Sequence, residues 1–349
     1  MFSADLAGAL GCFTAVRDAI GDRGPSRALA DCLASRSVVL SNLGRTAEAA
    51  EDGRRALALA RELGYPAGEA LALERLSLAA YFADDLGGAV RLARQAGQVP
   101  GDIPGRIARV RGNLLADVLI QVGQLAAAER VCAAGLAQSG DVGDSWTQAV
   151  LLTFMATLDL RAGRTGDAAA HLRDSLQIVA RTGGLLYLDN ALDCCGFLCA
   201  ATGRPAEAVT VWAAHAALLR HEGIADWPAA MRRRQGLLRE AHQALGPART
   251  RAAADRGAAM NIATAAEYAL MLTAPGPVPA VGAPGPGLLS ARERELVTLV
   301  AQGRTNAQIA AQLYISVRTV GSHLDRIRDK TGCRRRVDLT RLALAAGLV

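Results

Sequence analysis

Five segments of the chain can be laid on one another at intervals of 39 or 40 residues: GRTAEAAEDG from Gly44, DDLGGAVRLA from Asp84, GQLAAAERVC from Gly123, GRTGDAAAHL from Gly163 and GRPAEAVTVW from Gly203. The fourth position of each is small (Ala47, Gly87, Ala126, Gly166, Ala206) and the sixth is alanine (Ala49, Ala89, Ala128, Ala168, Ala208). A fixed period of this length means that one unit is copied and that neighbouring copies bury a shared core. Before each start runs an apolar stretch of helical length, such as Leu29 to Leu43 or Val150 to Leu160; after it comes an amphipathic one, such as Ala47 to Leu63. The unit therefore reads as two helices joined by a glycine turn. Glycine supplies the positive φ that ends the first helix, and the small residues let the paired backbones approach.

The five repeats cover roughly residues 26–222. A sixth, degenerate pair is expected from Pro228 to Leu272, with Gly246 as its turn and MNIATAAEYAL as its closing helix. The pattern resembles tetratricopeptide-type repeats with a lengthened period. The fold class that follows is all-α: a superhelix of helical hairpins over 26–272, preceded by a partial hairpin in 1–25. The next stretch, TAPGPVPAVGAPGPG (273–287), holds five of the twelve prolines and reads as an extended linker to a last domain, 288–349.

That last domain carries the charge. It holds ten arginines and one lysine against Glu293, Glu295, Asp325, Asp329 and Asp338, a net of +6 that equals the net charge of the whole chain. A basic module beside a neutral body is the footprint of a polyanion binder, because neutralised phosphates release counterions. Within it, Ser290 with Glu293 forms a capping box ahead of an apolar stripe of Leu296, Leu299 and Val300, and Gly303 ends that helix. Thr305 with Gln308 opens a short second helix that turns Ile309, Ala310 and Leu313 inward. Tyr314 and Ile315 make the turn, Ser316 caps a third helix, and Val320, Leu324 and Ile327 form its buried stripe. The opposite face of that helix presents Arg318, Thr319, Ser322, Asp325, Arg326 and Asp329, and a fourth helix runs from Val337 to Ala346. Two short helices joined by a tight turn, the second polar outside, match a helix-turn-helix that lays its second helix in the major groove. Helical hairpins without a DNA function share the pattern.

The run LSARERE…GRTNAQIAAQLYISVRTVGSHLDRIRDKTG resembles the LuxR-type (GerE-like) helix-turn-helix domain over nearly all of 288–349. The resemblance implies that Asn306, Ser316, Thr319 and Lys330 hold DNA phosphates, that His323 stands at the edge of the recognition helix (about 316–330), and that Arg292 and Glu293 brace the first helix. With Arg318 and Arg326 on the exposed face, and Arg334 and Arg335 after it, these make the expected DNA-binding set. Arg334, Arg335 and Arg336 stand between the third and fourth helices, where phosphate and solvent are equally open to them. The base-reading positions depart from relatives that carry lysine or arginine after the Thr-Val pair and again four residues on. Here Gly321, Ser322 and Asp325 stand there. Gly321 admits close backbone approach but no guanine contact. Asp325 either accepts from cytosine N4 or pairs with Arg326 or Arg328 on its own helix.

The rest of the composition excludes more than it suggests. The only lysine, Lys330, follows no glycine-rich loop and so completes no P-loop, and it is no candidate for Schiff-base chemistry. The seven cysteines form no CxxC pair, and Cys195 and Cys199, at i and i+4, read as buried small hydrophobes. His171, His215, His221 and His242 are scattered, so no metal is expected. The arginine run 232–234 reads as a solvated face, and Asp84 with Asp85 as a helix cap in place of the glycine turn. No apolar run approaches the ~20 residues that span a bilayer, nor does the first segment resemble a secretion signal, so a cytoplasmic protein is expected.

Together these imply a sequence-specific transcriptional regulator, an activator by resemblance, without enzymatic activity, cofactor or metal. Its partners would be promoter duplex DNA, RNA polymerase, a second copy joined through the helix Val337 to Ala346, and an unidentified ligand or protein at the repeats. Similar repeats form the superhelical domain of large ATP-binding LuxR-type regulators. The chain resembles the C-terminal part of these, without the nucleotide-binding module. The alternative is a repeat-based adaptor for other proteins, with a weak or non-specific DNA-binding tail.

Overall fold

The computed structural model describes residues 5–22, 24–101, 105–141, 143–182, 185–274, 289–331, 333, 336–345 and 348. All regular structure among them is α-helical, in eighteen helices. The first thirteen are α1 (Leu6–Gly21), α2 (Arg27–Asn42), α3 (Thr46–Glu62), α4 (Pro66–Phe82), α5 (Leu86–Gln98), α6 (Gly105–Gln121), α7 (Leu125–Asp141), α8 (Ser145–Arg161), α9 (Thr165–Thr182), α10 (Leu185–Ala201), α11 (Pro205–Glu222), α12 (Pro228–Leu245) and α13 (Pro247–Ala258). The remainder are α14 (Ile262–Thr273), α15 (Ala291–Ala301), α16 (Asn306–Leu313), α17 (Val317–Thr331) and α18 (Arg336–Ala345). The chain forms two compact units, residues 1–258 and 259–349. Among the described residues no helix is long and apolar enough to cross a membrane.

In the first unit, successive helices from α1 to α11 pack as antiparallel neighbours, and the even-numbered α2, α4, α6, α8 and α10 also touch one another in series, forming an inner face. The repeated alanine explains itself: Ala49, Ala89, Ala128, Ala168 and Ala208 are all essentially without exposure, at the closest approach of the paired helices. In two repeats the preceding helix is tied to that alanine directly, Ser37 donating to the Ala49 carbonyl at 2.7 Å and Ser77 to that of Ala89 at 2.8 Å. Glycines of left-handed φ stand at both kinds of junction, as at Gly44 (φ 74°) and Gly64 (φ 53°), so the turn recurs twice per repeat. Asp84 adopts φ 65° without being glycine, and Asp85 caps α5 by accepting from the Gly88 N–H at 2.8 Å.

The sixth pair does not stack as a further hairpin. Instead α13 packs along α11, and the segment 224–234 crosses the inner face to the early repeats. There the Ala225 N–H donates to the Asn42 carbonyl at 2.7 Å, and Trp227 lies on Phe82 and Tyr81 with ring centroids 4.5 and 4.7 Å away. Arg232 makes a two-pronged ion pair with Asp84, at 2.6 and 2.8 Å. The arginine run is therefore not a solvated face. Arg234 is buried between Asp193 and Asp226, and Arg233 stands over the Phe197 ring. The charges stay because carboxylates and an aromatic face meet them.

In the second unit, α15 to α18 enclose a core of Leu296, Val297, Val300, Ile309, Leu324, Ile327 and Leu339. Helix α14, expected to close the repeats, falls in this unit and packs on α18. Its approach depends on Gly303 (φ 80°), where a Cβ would come within 2.7 Å of the Thr264 methyl. Of the proline-rich linker, all but Thr273, which ends α14, and Ala274 lies outside the described residues.

Candidate nucleic-acid interface

Both capping boxes form. Ser290 accepts from the Glu293 N–H at 3.2 Å while the Glu293 carboxylate accepts from the Ser290 N–H at 2.8 Å; Thr305 and Gln308 repeat the exchange at 3.2 and 2.9 Å. They fix the starts of α15 and α16. The turn into α17 passes through Tyr314 in the left-handed region, φ 55°, and the Ser316 hydroxyl then caps α17 by accepting from the Thr319 N–H at 3.0 Å. Val320, Leu324 and Ile327 are buried, as the i, i+4, i+7 spacing requires, and this sets which face of α17 is turned outward.

Glu293 is the hub of the unit. Besides its cap, it holds Lys330 Nζ at 2.7 and 2.8 Å, tying the end of α17 to the start of α15. Lys330, then the Ser290 N–H, pull its carboxyl down to about 2. Lys330 is thus engaged inside the domain rather than presented whole to a phosphate. Arg292 braces the other side, donating to the Leu313 carbonyl at the end of α16 at 3.1 Å. Arg336 donates to Asn306 Oδ1 at 2.8 Å and to the Arg304 carbonyl, which holds α16 to α18 and leaves the Asn306 NH₂ to donate elsewhere.

On the outward face of α17, Arg318 and Arg326 are exposed, and among the described residues neither has an ion-pair partner. Asp325 pairs with Arg328 at 2.7 Å, which makes the intrahelical option left open by the sequence the one that forms here. Ser322 bonds back to the Arg318 carbonyl at 3.2 Å. Gly321 faces open space, with nothing within 4 Å of where a Cβ would stand. Thr319 shares a hydrogen bond with Ser316 at 2.8 Å, and His323 is half-buried. Arg334 and Arg335 lie outside the described residues. Sequence reasoning gives Tyr314 a part in the turn but misses its exposure, and misses Val317; the two are 95 and 52 % exposed beside the start of α17. A tyrosine at a helix end that favours glycine was the available signal.

Parts of this chain are similar to known proteins. Residues 287–343 match the family described as bacterial regulatory proteins, luxR family. The response regulator Rre1 of Synechocystis is 47% identical over 57 residues, 16% of this chain and 25% of that protein. The oxygen regulatory protein NreC of Staphylococcus aureus is 39% identical over 62 residues, 18% of this chain and 29% of NreC. A protein of Mycobacterium tuberculosis named as an HTH-type transcriptional regulator is 30% identical over 214 residues, 59% of this chain and 23% of that protein. The matches thus span roughly a quarter of the length of these relatives. The C-terminal unit of this chain carries the helix-turn-helix domain of the bacterial luxR family.

Proposed function

We propose that the chain is a sequence-specific DNA-binding transcriptional regulator in which α17 enters the major groove. The observation that carries the reading is a luxR-family helix-turn-helix whose recognition helix exposes two unpaired cations, Arg318 and Arg326, beside Thr319, Ser322 and the Ser316 cap. Arginine forks of this kind hold guanine edges or phosphates. Asn306, at the start of α16, and the N-terminus of α17 supply further donors toward the backbone. Names of relatives that are transcriptional regulators support the same reading.

The finer parts of the proposal are an activating role in the cytoplasm, a homodimer formed through α18, contact with RNA polymerase, and a repeat unit that senses a signal. Helix α14 packs on α18, and Arg336 and Thr340 face a small pocket that α14 also lines, so the dimer would use the remaining faces of α18. The test is selection of bound sequences from random duplex DNA by the full chain, with Arg318→Ala and Thr319→Ala as separate controls. A two-fold symmetric site, lost in both controls, is the expected result. Binding that keeps its steep salt dependence but selects no sequence belongs to the adaptor alternative and would overturn direct readout.

A further inference from the structure

Among the described residues four large apolar side chains stand exposed: Val16, Met231, Tyr314 and Val317. Two of the four lie three residues apart at the entry to α17. The core of the unit is built from other side chains, so packing does not account for them. Tyr314 also takes a left-handed φ of 55°, a conformation that glycine adopts freely and a tyrosine at a cost. Scattered singly, exposed apolar groups need no explanation; gathered at one end of an exposed helix they mark a contact surface.

Val317 opens α17 and stands one turn ahead of Gly321 and two ahead of Asp325, so the three follow one another along a single ridge. What this ridge offers is almost wholly apolar. Val317 presents its methyl groups. Gly321 presents only backbone, with nothing within 4 Å of where a Cβ would stand, and so leaves a notch. Asp325 ends the ridge with its carboxylate turned to Arg328 at 2.7 Å. Beside the ridge stand Arg318 and Arg326, exposed and, among the described residues, without ion-pair partners. Unpaired cations along an apolar ridge suit a polyanion better than an apolar protein surface.

On a DNA duplex the major-groove edges carry one apolar feature, the 5-methyl group of thymine; every other group there is a hydrogen-bond donor or acceptor. A guanine or adenine edge laid on Val317 and Gly321 would lose water and meet no side-chain donor in return. We propose that the ridge reads a thymine, its methyl group seated against Val317 in the notch that Gly321 leaves. The proposal rests on the reading that α17 enters the major groove, and it names a base for that reading. Arg318 and Arg326 then supply the hold on phosphate or guanine beside it.

The test begins from the duplex that the full chain selects from random DNA. Each thymine is replaced in turn by deoxyuridine, which pairs alike and lacks only the methyl group, and binding is measured at one salt concentration. At one thymine of each half-site the replacement should weaken binding by about three- to fivefold, the worth of one buried methyl. Val317→Ala should bring that ratio toward one, and Gly321→Ala, which fills the notch, should bind the deoxyuridine duplex at least as well as the thymine one. The comparison on the unaltered chain stands even if a variant misfolds. Thymines that are all replaceable without loss, a loss that both variants leave unchanged, or a selected site with cytosine opposite the ridge (the base that Asp325 would read) would overturn the proposal alone. Selection of no sequence at all would remove the major-groove reading, and the thymine contact with it.

Discussion

Glu293→Gln isolates one charge in the C-terminal unit. Glutamine can keep the capping hydrogen bond to the Ser290 N–H and loses the carboxylate that grips Lys330 at 2.7 and 2.8 Å. The Glu293 carboxyl falls from its ordinary 4.5 to about 2, which taken whole is about 3 kcal/mol. Because the Lys330 side chain is 45% exposed, solvent screens the pair and about 1–2 kcal/mol is the expected loss. A carboxyl whose folded pKa is depressed contributes fully above its unfolded value and loses that contribution as pH falls through the folded one. The stabilisation is therefore complete above 4.5 and disappears toward about 2. Scanning calorimetry at pH 7 should show the transition of this unit lowered by several degrees, at about 4–8 °C per kcal/mol for a domain of this size. Repeated at falling pH, the parent and variant curves should converge toward about pH 2–3. Equal melting at pH 7, or a gap unchanged across the acid range, would refute the hub role of Glu293. Lys330→Met should reproduce the loss while leaving the salt slope of DNA binding unaltered, whereas a phosphate contact would lower that slope by about one.

Three other perturbations are as direct. Gly321→Ala should raise the melting temperature, by about 0.5–1 kcal/mol of helix propensity, because the added methyl meets nothing within 4 Å; a fall would contradict the open face of α17. Gly257→Ala should cost about 1–3 kcal/mol, since its Cβ would stand 2.0 Å from the Thr210 carbonyl oxygen of α11, and denaturant melts of the full chain measure it. Asp189→Asn should stabilise the repeat unit increasingly as pH rises from about 4 toward 7, then by a constant amount. The parent carboxyl, raised to about 7 by burial, stays protonated in the folded state where the unfolded chain has released its proton. A gap that is the same at pH 4 and pH 8 would count against this.

The sequence was most legible where structure is local or periodic. Alanine at one repeat position could be read as close helix approach because no larger side chain is tolerated five times over, and the buried Ala49 and Ala208 bear this out. The Ser290 and Thr305 boxes were readable because each is a hydrogen-bond exchange across three residues. What escaped depends on partners distant in the chain. Arg232 meets Asp84 across 148 residues, and Arg234 finds Asp193 forty-one residues earlier. Nothing in a run of three arginines distinguishes a buried member from solvated ones. The Lys330–Glu293 ion pair is hidden for the same reason, since it joins the two ends of the motif, thirty-seven residues apart. The pattern of α14 suits either neighbour, and its small-to-small meeting with Gly303 is visible only in three dimensions.

An array of helical hairpins normally frays from its ends, since each unit leans only on the next. The Trp227 stack and the Arg232–Asp84 pair change that connectivity. They fasten the last part of the array to an early part, so the intervening helices lie inside a closed circuit whose loop-closure cost is borne once, on folding. Opening the clasp at Asp84 would loosen both ends together. The unit should therefore melt as one cooperative body rather than by the stepwise peeling of a linear stack.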